Sequence, residues 1–473
     1  MTSKKMKQPI KNKERKFFKR PTATPTAADA AQAAAAAFKP GEKGKKTFAL
    51  LRGMHDRLPK EERYWRAATR AAEDLAEYFQ FGRIDTPLLE EAGLFVRSLG
   101  RSTDVVDKEM YIFDDRDGQK ICLRPEATAS VARAYIGSGL WNQAQPIKLW
   151  YQGPMFRHDR PQSGRYRQFH QVGFETFGVK DPAIDAELIL VAFDFFKDLG
   201  LNVEVRMNSL GTLEERARYK IELINYYRTK RSYLCEDCRQ RLTKNPLRLL
   251  DCKEPGCQPV KDEAPQLLDW LGDDSKSHFM KTLEYLDELG VPYLLTPSLV
   301  RGLDYYAHTV FEFYLAGVAE ESAQMALGAG GRYDGLVEEL GGRSAPAAGF
   351  AIGLERVVMA LHKQNEAEQS PLLKPPAAQV FFAQLGDEAR RQALLLINQL
   401  RGTGLRLAFN FFKNSLKNQL EAANAVKAKY VLILGQKEVQ DKTVIVRDME
   451  SGVQEIIDQK KIEAVLKRKL EKN

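Results

Sequence analysis

The sequence is poor in cysteine and lacks long apolar runs. Five cysteines in 473 residues are too few for a disulfide scaffold, so we expect a reducing compartment, the cytoplasm. No stretch approaches the roughly 18 consecutive apolar residues that a membrane-spanning helix needs, and we therefore expect no membrane partner. The first twenty residues are rich in lysine, which is unlike a secretory leader. The remaining composition, 44% hydrophobic and 29% charged, is typical of a globular protein with two or three domains.

The net charge of +9 is concentrated at the N-terminus. Residues 1–46 hold thirteen Lys and Arg against three acidic residues, a net of +10, so the rest of the chain sums to −1. This segment also contains an alanine run and little apolar bulk, which predicts a disordered basic tail. The alternatives are an arm that attracts RNA phosphates and an organellar transit peptide. The charge of the remaining body gives no general argument for nucleic-acid binding.

A long β-hairpin is predicted in the middle of the first half of the chain. Residues 147–151 and 168–177 read as strands, joined by a polar loop that contains Pro161 and Gly164. Two arginines lie at the tip and two at the stems: Arg160, Arg165, Arg157 and Arg167. A solvated charged tip is the alternative, but the clustered guanidinium groups favour an anionic ligand.

The second strand of this hairpin has a polar face. A two-residue period places Phe169, Gln171, Gly173 and Glu175 on that face. We expect the glycine to leave a gap through which a ligand approaches the backbone, next to an amide and a carboxylate.

Three motifs resemble one enzyme family. The segments F-R-H-D-R-P at 156–161 and Y-R-Q-F-H-Q at 166–171 resemble the second signature motif of class II aminoacyl-tRNA synthetases, in the form found in histidyl-tRNA synthetases. L-V-R-G-L-D-Y-Y at 299–306 resembles the signature peculiar to that family. A-A-G-F-A-I-G-L-E-R at 347–356 resembles the third class II motif. The resemblance extends from Phe48 to the C-terminus.

The resemblance implies attachment of L-histidine to tRNA(His) through a histidyl-adenylate, with ATP and Mg²⁺. It assigns Arg157 and Arg301 to the α-phosphate and the carboxylate, and Arg356 to the γ-phosphate. It assigns seven residues to the histidine end of the pocket: Glu126, Thr128, Gln171, Glu175, Tyr305, Tyr306 and Tyr333. Arg160 and Gln162 would meet the acceptor end of the tRNA. Ala127 stands where the family has glycine.

Two further segments have both a local and a family interpretation. A helix from Glu61 to about Phe79 and a strand at 83–89 that contains Pro87 resemble the first class II motif, which implies a homodimer interface. An ordinary helix followed by an edge strand is the alternative. Thr128 is also a good candidate for the N-cap of a helix that starts at Ala129.

Residues 213–296 are predicted to be a helical insertion, which the resemblance places around the tRNA acceptor arm. It contains Cys235-x2-Cys238 and Cys252-x4-Cys257, with thirteen residues between the two pairs. Two closely spaced pairs fit a tetrahedral zinc site, which the resemblance does not imply. Four reduced cysteines without metal are the alternative. Cys122 is expected to be a core residue.

The predicted fold class is α+β. A catalytic domain at 47–370 with an antiparallel sheet would be joined by a linker at 371–376 to a small α/β domain at 377–473, which resembles an anticodon-binding domain. Two other functions remain open: a catalytically silent paralogue that regulates histidine biosynthesis, and an RNA-binding protein without catalysis. The first is disfavoured because the C-terminal domain and every matched arginine are present.

Overall fold

The structure, a computed structural model, describes residues 48–100, 103–317, 325–368, 378–412 and 415–471. The chain forms two compact units, Met1–Glu366 and Ala367–Asn473. The predicted tail at 1–46 and linker at 371–376 fall outside the described residues. Within the described residues, every helix is too short or too polar to span a lipid bilayer.

The first unit alternates helices with mostly short strands. Its helices are α1 (Glu62–Tyr78), α2 (Ala92–Leu99), α3 (Thr128–Gly137), α4 (Pro182–Asp198), α5 (Leu213–Thr229), α6 (Glu236–Lys244), α7 (Gln258–Asp262), α8 (Asp273–Leu289), α9 (Leu336–Glu339) and α10 (Leu354–Glu368). Its strands are β1 (Gly82–Arg83), β2 (Leu89–Glu91), β3 (Tyr111–Asp114), β4 (Lys120–Leu123), β5 (Ile147–Phe156), β6 (Gln168–Phe177), β7 (Val203–Ser209), β8 (Tyr293–Leu295), β9 (Ala307–Leu315), β10 (Gly328–Arg332) and β11 (Ala347–Gly353). A π-helical turn covers Val105–Glu109, and 3₁₀ turns cover Leu140–Asn142, Arg231–Tyr233, Pro246–Leu249, Pro255–Cys257 and Leu267–Trp270.

Eight strands form the main sheet, in the order β1-β5-β6-β11-β10-β9-β7-β8. All pairs are antiparallel except β1–β5 and β7–β8 at the two ends. Strand β6 lies between β5 and β11, so that Glu175 is opposite Leu149 on one side and Gly349 on the other. The α+β class with an antiparallel sheet is therefore confirmed. A separate small sheet has the order β2-β4-β3.

Helix α4 covers this sheet because its sequence is apolar between two clear end signals. The side chain of Asp181 accepts a hydrogen bond from the amide of Ala183 at 2.8 Å, and Pro182 occupies the first turn. Leu188 and Phe195 are fully buried. The helix packs on β7 and β11 and against α1 and α8.

A buried ionic network ties α4 to the sheet. The carboxylate of Asp185 lies 2.9 Å from the guanidinium of Arg332 on β10, whose side chain is wholly buried. It also contacts His278 Nε2 on α8 at 2.6 Å and the hydroxyl of Thr309 on β9 at 3.0 Å. Burial alone would raise the pKa of Asp185, but the charges and hydrogen bonds of Arg332 and His278 together outweigh it and hold the pKa below its usual value. Four elements thus share one charged contact.

The predicted insertion at 213–296 contains α5, α6 and α7 with four of the 3₁₀ turns. Its last part belongs to the body of the unit, because α8 packs against α4 and β8 pairs with β7 in the main sheet. Helix α5 starts with a capping box in which the side chain of Thr212 accepts from the amide of Glu215 at 3.2 Å.

The second unit is a mixed five-stranded sheet with helices. Its strands are β12 (Val380–Gln384), β13 (Leu407–Phe409), β14 (Tyr430–Leu434), β15 (Thr443–Asp448) and β16 (Gln454–Asp458), in the order β13-β12-β14-β15-β16. Its helices are α11 (Asp387–Leu400), α12 (Leu416–Ala425), α13 (Gln436–Gln440) and α14 (Ile462–Glu471), with a 3₁₀ turn at Gln459–Lys461. The first three strands pair in parallel and the last three antiparallel.

One predicted strand is wrong. The segment 83–89 is divided between β1, which pairs with β5, and β2, which pairs with β4 in the small sheet. Pro87 lies in the interruption, and its missing N–H explains why neither ladder continues through it.

We predict that Asp185→Asn lowers the apparent free energy of unfolding of the first unit by up to about 3–5 kcal/mol, because the buried Arg332 cation then loses its buried carboxylate partner and keeps the more exposed Asp334, at 3.2 Å. Urea unfolding of the full chain measures this. The control Asp85→Asn removes the partner of an exposed arginine, Arg83, and should cost less than about 1 kcal/mol. Equal losses in the two variants would contradict the prediction.

Candidate active site

The carboxylate of Glu175, on β6, lies at the centre of the candidate site. It is fully buried and accepts hydrogen bonds from the hydroxyls of Thr128, at 2.7 Å, and Tyr333. The hydroxyl of Tyr151 lies 3.4 Å away. Gly349 is opposite on β11, where a Cβ atom would be only 1.7 Å from Oε2 of Glu175. Burial raises the pKa of Glu175 to about 8, although the hydroxyl donors act in the other direction.

A second carboxylate, that of Glu126, caps helix α3. It accepts hydrogen bonds from the backbone amides of Thr128, at 2.7 Å, and Ala129, at 2.9 Å. The predicted N-cap role of Thr128 is therefore wrong: Thr128 is the first helical residue, and its hydroxyl is directed to Glu175. Burial raises the pKa of Glu126, opposed by these amide donors. The charge of Glu126 also raises the pKa of Glu175, and two such neighbouring buried carboxylates favour a cationic ligand group.

The gap expected at Gly173 does not exist. Tyr151 is directly opposite on β5, and a Cβ atom at 173 would lie 2.3 Å from its Cζ and hydroxyl. The glycine therefore makes room for the Tyr151 ring rather than for a ligand. Tyr151 is a site residue that was not predicted. The pairing register of the hairpin, which places it opposite Gly173, would have identified it.

Three predicted tyrosines converge on Glu175. The rings of Tyr305 and Tyr306 are 4.6 Å apart, and those of Tyr305 and Tyr333 are 5.6 Å apart. All three side chains are buried. Burial raises the pKa of Tyr305, to which Tyr306 and the carboxylates of Glu126 and Glu175 add. Neutral phenols therefore surround the carboxylate.

Two of the predicted arginines lie where the hairpin meets β11 and α10. Arg157 Nε donates to the carbonyl of Pro125 at 2.9 Å, and its guanidinium is 5.4 Å from the centre of the Phe169 ring. Arg356 donates to the carbonyls of Gly164, at 3.1 Å, and Ala326. Burial lowers the pKa of Arg356, and the charges of Arg165 and Arg157 lower it further. Such repulsion marks a place for an anion.

Arg301 lies in the loop that leads into β9, which is separated from the hairpin by β11 and β10. It forms an ion pair with Glu312 on β9, and its guanidinium lies 5.2 Å from the centre of the Tyr306 ring. Burial would lower the pKa of Arg301, but Glu312, Tyr306 and Tyr305 together outweigh it and raise the pKa. Glu312 also acts on Arg356. Arg356 is thus influenced both by Arg157 and by Glu312, the ion-pair partner of Arg301.

Two buried polar atoms of predicted site residues have no hydrogen-bond partner among the described residues. They are the amide oxygen of Gln171 on β6 and the Nε–H of Arg301. One is an acceptor and the other a donor on a cation. Leaving such groups unpaired costs about 1–3 kcal/mol each, so a ligand with a matching donor and anion would relieve the cost.

Arg216, on α5, holds the loop that presents Arg301 and the paired tyrosines. Its guanidinium donates to the carbonyls of Tyr306 at 2.5 Å and Asp304 at 3.2 Å. The loop also fits against Gly100, where a Cβ would lie 2.2 Å from Oδ2 of Asp304. The sequence analysis missed Arg216, because nothing near it in the chain signals a contact ninety residues away.

The remaining predicted residues lie outside this pocket. Arg160 and Gln162 are exposed on the hairpin tip, where Gln162 forms an isolated bridge with Arg165. The Sγ atoms of Cys235, Cys238, Cys252 and Cys257 all lie within 4.8 Å of one another in the insertion. Cys122 is a buried residue of β4, and all five cysteines are free thiols.

Comparison with known proteins points to the family that the motifs resemble. A family model described as histidyl-tRNA synthetase matches residues 53–218 and 252–357, and one described as an anticodon-binding domain matches 379–469. The histidine–tRNA ligase of Halothermothrix orenii is 44% identical over 407 residues, which are 85% of this chain and 95% of that protein. The corresponding ligase of Natranaerobius thermophilus is 42% identical over 88% of this chain and 98% of its own length. The apo crystal structure of histidyl-tRNA synthetase from S. aureus superposes with a TM-score of 0.73, at 33% identity, over 89% of this chain and all of that one.

An antiparallel sheet that carries the second and third motifs on neighbouring strands defines a class II aminoacyl-tRNA synthetase. The family model that matches residues 53–218 and 252–357 specifies the family within this class. The chain belongs to the histidyl-tRNA synthetase family.

The raised pKa of Glu175 predicts a pH-dependent stability. Because about 8 lies above the usual value of 4.5, the stabilisation linked to the proton is fully present below pH 4.5 and is lost as the pH rises through about 8. We expect the free energy of unfolding of the wild type to fall over this range more steeply than that of Glu175→Gln. Urea unfolding at a series of pH values measures the difference, and infrared spectra should show a protonated carboxyl band that titrates only in the wild type. Parallel pH profiles would contradict the prediction.

Proposed function

We propose that this protein attaches L-histidine to tRNA(His) in two steps. The histidine carboxylate first attacks the α-phosphorus of ATP, which releases pyrophosphate and forms histidyl-adenylate. A 3′-terminal hydroxyl of the tRNA then takes the histidyl group and releases AMP. Neither step needs a covalent nucleophile on the enzyme; each needs alignment and positive charge around the reacting phosphorus.

The observation that carries this proposal is the pair of unsatisfied groups, the Gln171 amide oxygen and the Arg301 Nε–H. An α-amino acid offers an ammonium donor and a carboxylate acceptor on adjacent atoms. The ammonium would find Gln171 and the carboxylate of Glu126, and the carboxylate would find Arg301. Each end thus meets a group of complementary charge.

Selection of histidine rests on the polar side chains around the far end of this pocket. An imidazole has one donor and one acceptor nitrogen, and Glu175, Tyr306 and Tyr333 supply hydroxyls and a carboxyl that can pair with both. An amino acid without these nitrogens would leave buried polar groups unpaired, at a cost of a few kcal/mol.

The arginines would bind ATP, which enters with Mg²⁺ as its counterion. Arg157 and Arg301 are assigned to the α-phosphate and Arg356 to the γ-phosphate. The mutual repulsion of Arg157 and Arg356 supports this role, since a triphosphate would neutralise both. Any zinc at the four cysteines would be structural and would take no part in the two steps.

The tRNA would contact both units. Arg160 and Gln162 are exposed on the hairpin tip, where they can meet the acceptor end, and the second unit would bind the anticodon. We further propose a homodimer in the cytoplasm. The small sheet supports a dimer, because Leu89 on β2 and Ile112 and Phe113 on β3 are each more than 40% exposed.

A regulatory paralogue without catalysis is the second candidate, and it is not favoured. The second unit is present, and the polar residues expected to bind histidine are in place around Glu175. The discriminating experiment is ATP–pyrophosphate exchange with each of the twenty amino acids. Histidine alone should support exchange; exchange with another amino acid, or with none, would overturn the proposal.

Arg301→Ala is expected to lower the rate of histidine-dependent pyrophosphate exchange by about 10³-fold, because the transition state loses a preorganised cation. Arg301→Lys keeps a charge opposite Glu312 but loses the planar fork, and should cost about 10²-fold. The thermal midpoint of Arg301→Lys should remain close to that of the wild type. Normal exchange in Arg301→Ala would remove this arginine from the chemistry.

Arg216 should act as a positioning residue. Arg216→Ala frees the carbonyls of Tyr306 and Asp304, so the KM for histidine should rise about tenfold, while the KM for ATP, which Arg157 and Arg356 also bind, should rise less. Arg218→Ala, on the exposed face of the same helix, is the matched control and should leave both unchanged. Equal rises in both KM values would indicate a general loss of structure instead.

A further inference from the structure

The four clustered cysteines come from two short segments of the insertion. Cys235 and Cys238 flank the start of α6, while Cys252 and Cys257 belong to the segment with the 3₁₀ turns Pro246–Leu249 and Pro255–Cys257. All four Sγ atoms lie within 4.8 Å of one another, and those of Cys235 and Cys252 are 3.9 Å apart. Zinc–sulfur bonds of about 2.3 Å in a tetrahedron place sulfurs about 3.8 Å apart. The sulfurs are thus already at the spacing of a tetrathiolate site.

Backbone amides point at these sulfurs. The N–H of Cys235 donates to Sγ of Cys257 at 3.2 Å, and the N–H of Cys238 donates to Sγ of Cys235 at 3.4 Å. The latter contact is made at the N-terminus of α6, where the helix dipole favours negative charge. Donors directed at sulfur stabilise thiolates, the form in which cysteine binds a metal.

A buried phenol beside the cluster also lacks a partner. The hydroxyl of Tyr227, on α5, is buried without a hydrogen-bond partner among the described residues. Tyr227 packs in the same hydrophobic core as Cys238, Cys252 and Cys257, and α5 is in contact with α6. A thiolate carrying extra negative charge would accept its proton as a hydrogen bond, as outer ligands commonly do.

We infer that Cys235, Cys238, Cys252 and Cys257 bind one Zn²⁺ as a closed structural site. Disulfides do not fit, because four free sulfurs stand at non-bonded distances. A polynuclear iron–sulfur cluster needs more space between its thiolates than one ion does. Four thiolates also leave no open position for water, which excludes a hydrolytic role. Binding of the ion would displace the thiol protons to solvent.

The insertion has reason to need such a site. It consists of short helices and 3₁₀ turns around a modest set of leucines, including Leu234, Leu242 and Leu249. Small bodies with little core are commonly stabilised by a metal. The site would fix two segments of the chain against α5, the helix that carries both Tyr227 and Arg216.

Metal analysis of the full chain, purified without an affinity tag or chelator, tests this inference. We expect about one zinc per chain in the wild type, and less than about a tenth of that in Cys235→Ser and Cys252→Ser. The matched control Cys122→Ser removes a buried sulfur outside the cluster and should keep its zinc.

A second measurement keeps the inference testable if the serine variants fail to fold. Titration of the wild type with an organomercurial should release the zinc as the cluster thiols react, and cobalt-substituted protein should show intense sulfur-to-metal absorption. Zinc-free wild type after growth with added zinc, iron in place of zinc, or disulfides between these cysteines would overturn the inference. The outcome is independent of histidine activation, so this test and that of the proposed function fail separately.

Discussion

The burial of one carboxylate organises the active site. Glu175 is on β6, an interior strand of the sheet, with no solvent access, and three hydroxyl-bearing side chains from different elements are directed at it. A charged carboxylate in this position would be costly, which is why its pKa rises to about 8. The surrounding hydroxyls lower that cost without a counter-charge. A positively charged group of a histidine ligand would supply this counter-charge, so the free site favours a cation.

The arginines on the other side of the pocket present the opposite imbalance. Arg157 and Arg356 repel each other, and Glu312 is bound to Arg301. The sheet forces these groups together: β9, β10 and β11 are neighbours, and the hairpin pairs with β11 through β6. An anion relieves the repulsion at one end, while a cation is favoured at the other. A polar ligand such as an amino acid joined to a phosphate spans both ends, as an aminoacyl-adenylate does.

How much of this could be read from the sequence depends on the range of the contacts. The bounds of β6 were predicted to the residue, because alternating periodicity and the turn residues that end a strand are local signals. The glycine at 173 was recognised but misinterpreted, since its role depends on which residue of β5 is opposite. The Asp185–Arg332 and Arg216–Tyr306 contacts join residues far apart in the chain, and no local pattern encodes them. Motifs locate the groups that do chemistry; the side chains that hold those groups are visible only in three dimensions.

The loop at 301–306 shows how the insertion contributes to the pocket. Residues 301–306 have no regular secondary structure of their own, yet they present an arginine and two tyrosines in fixed positions. Their carbonyls are held by Arg216, which belongs to the first helix of the insertion, and Asp304 fits against Gly100 at the end of α2. Because the loop is held from two sides, its conformational entropy is lost on folding, and ligand binding does not have to order it. Because one of those sides is α5, anything that loosens the insertion also loosens the loop, and a disturbance around the four cysteines has a direct mechanical route to the pocket.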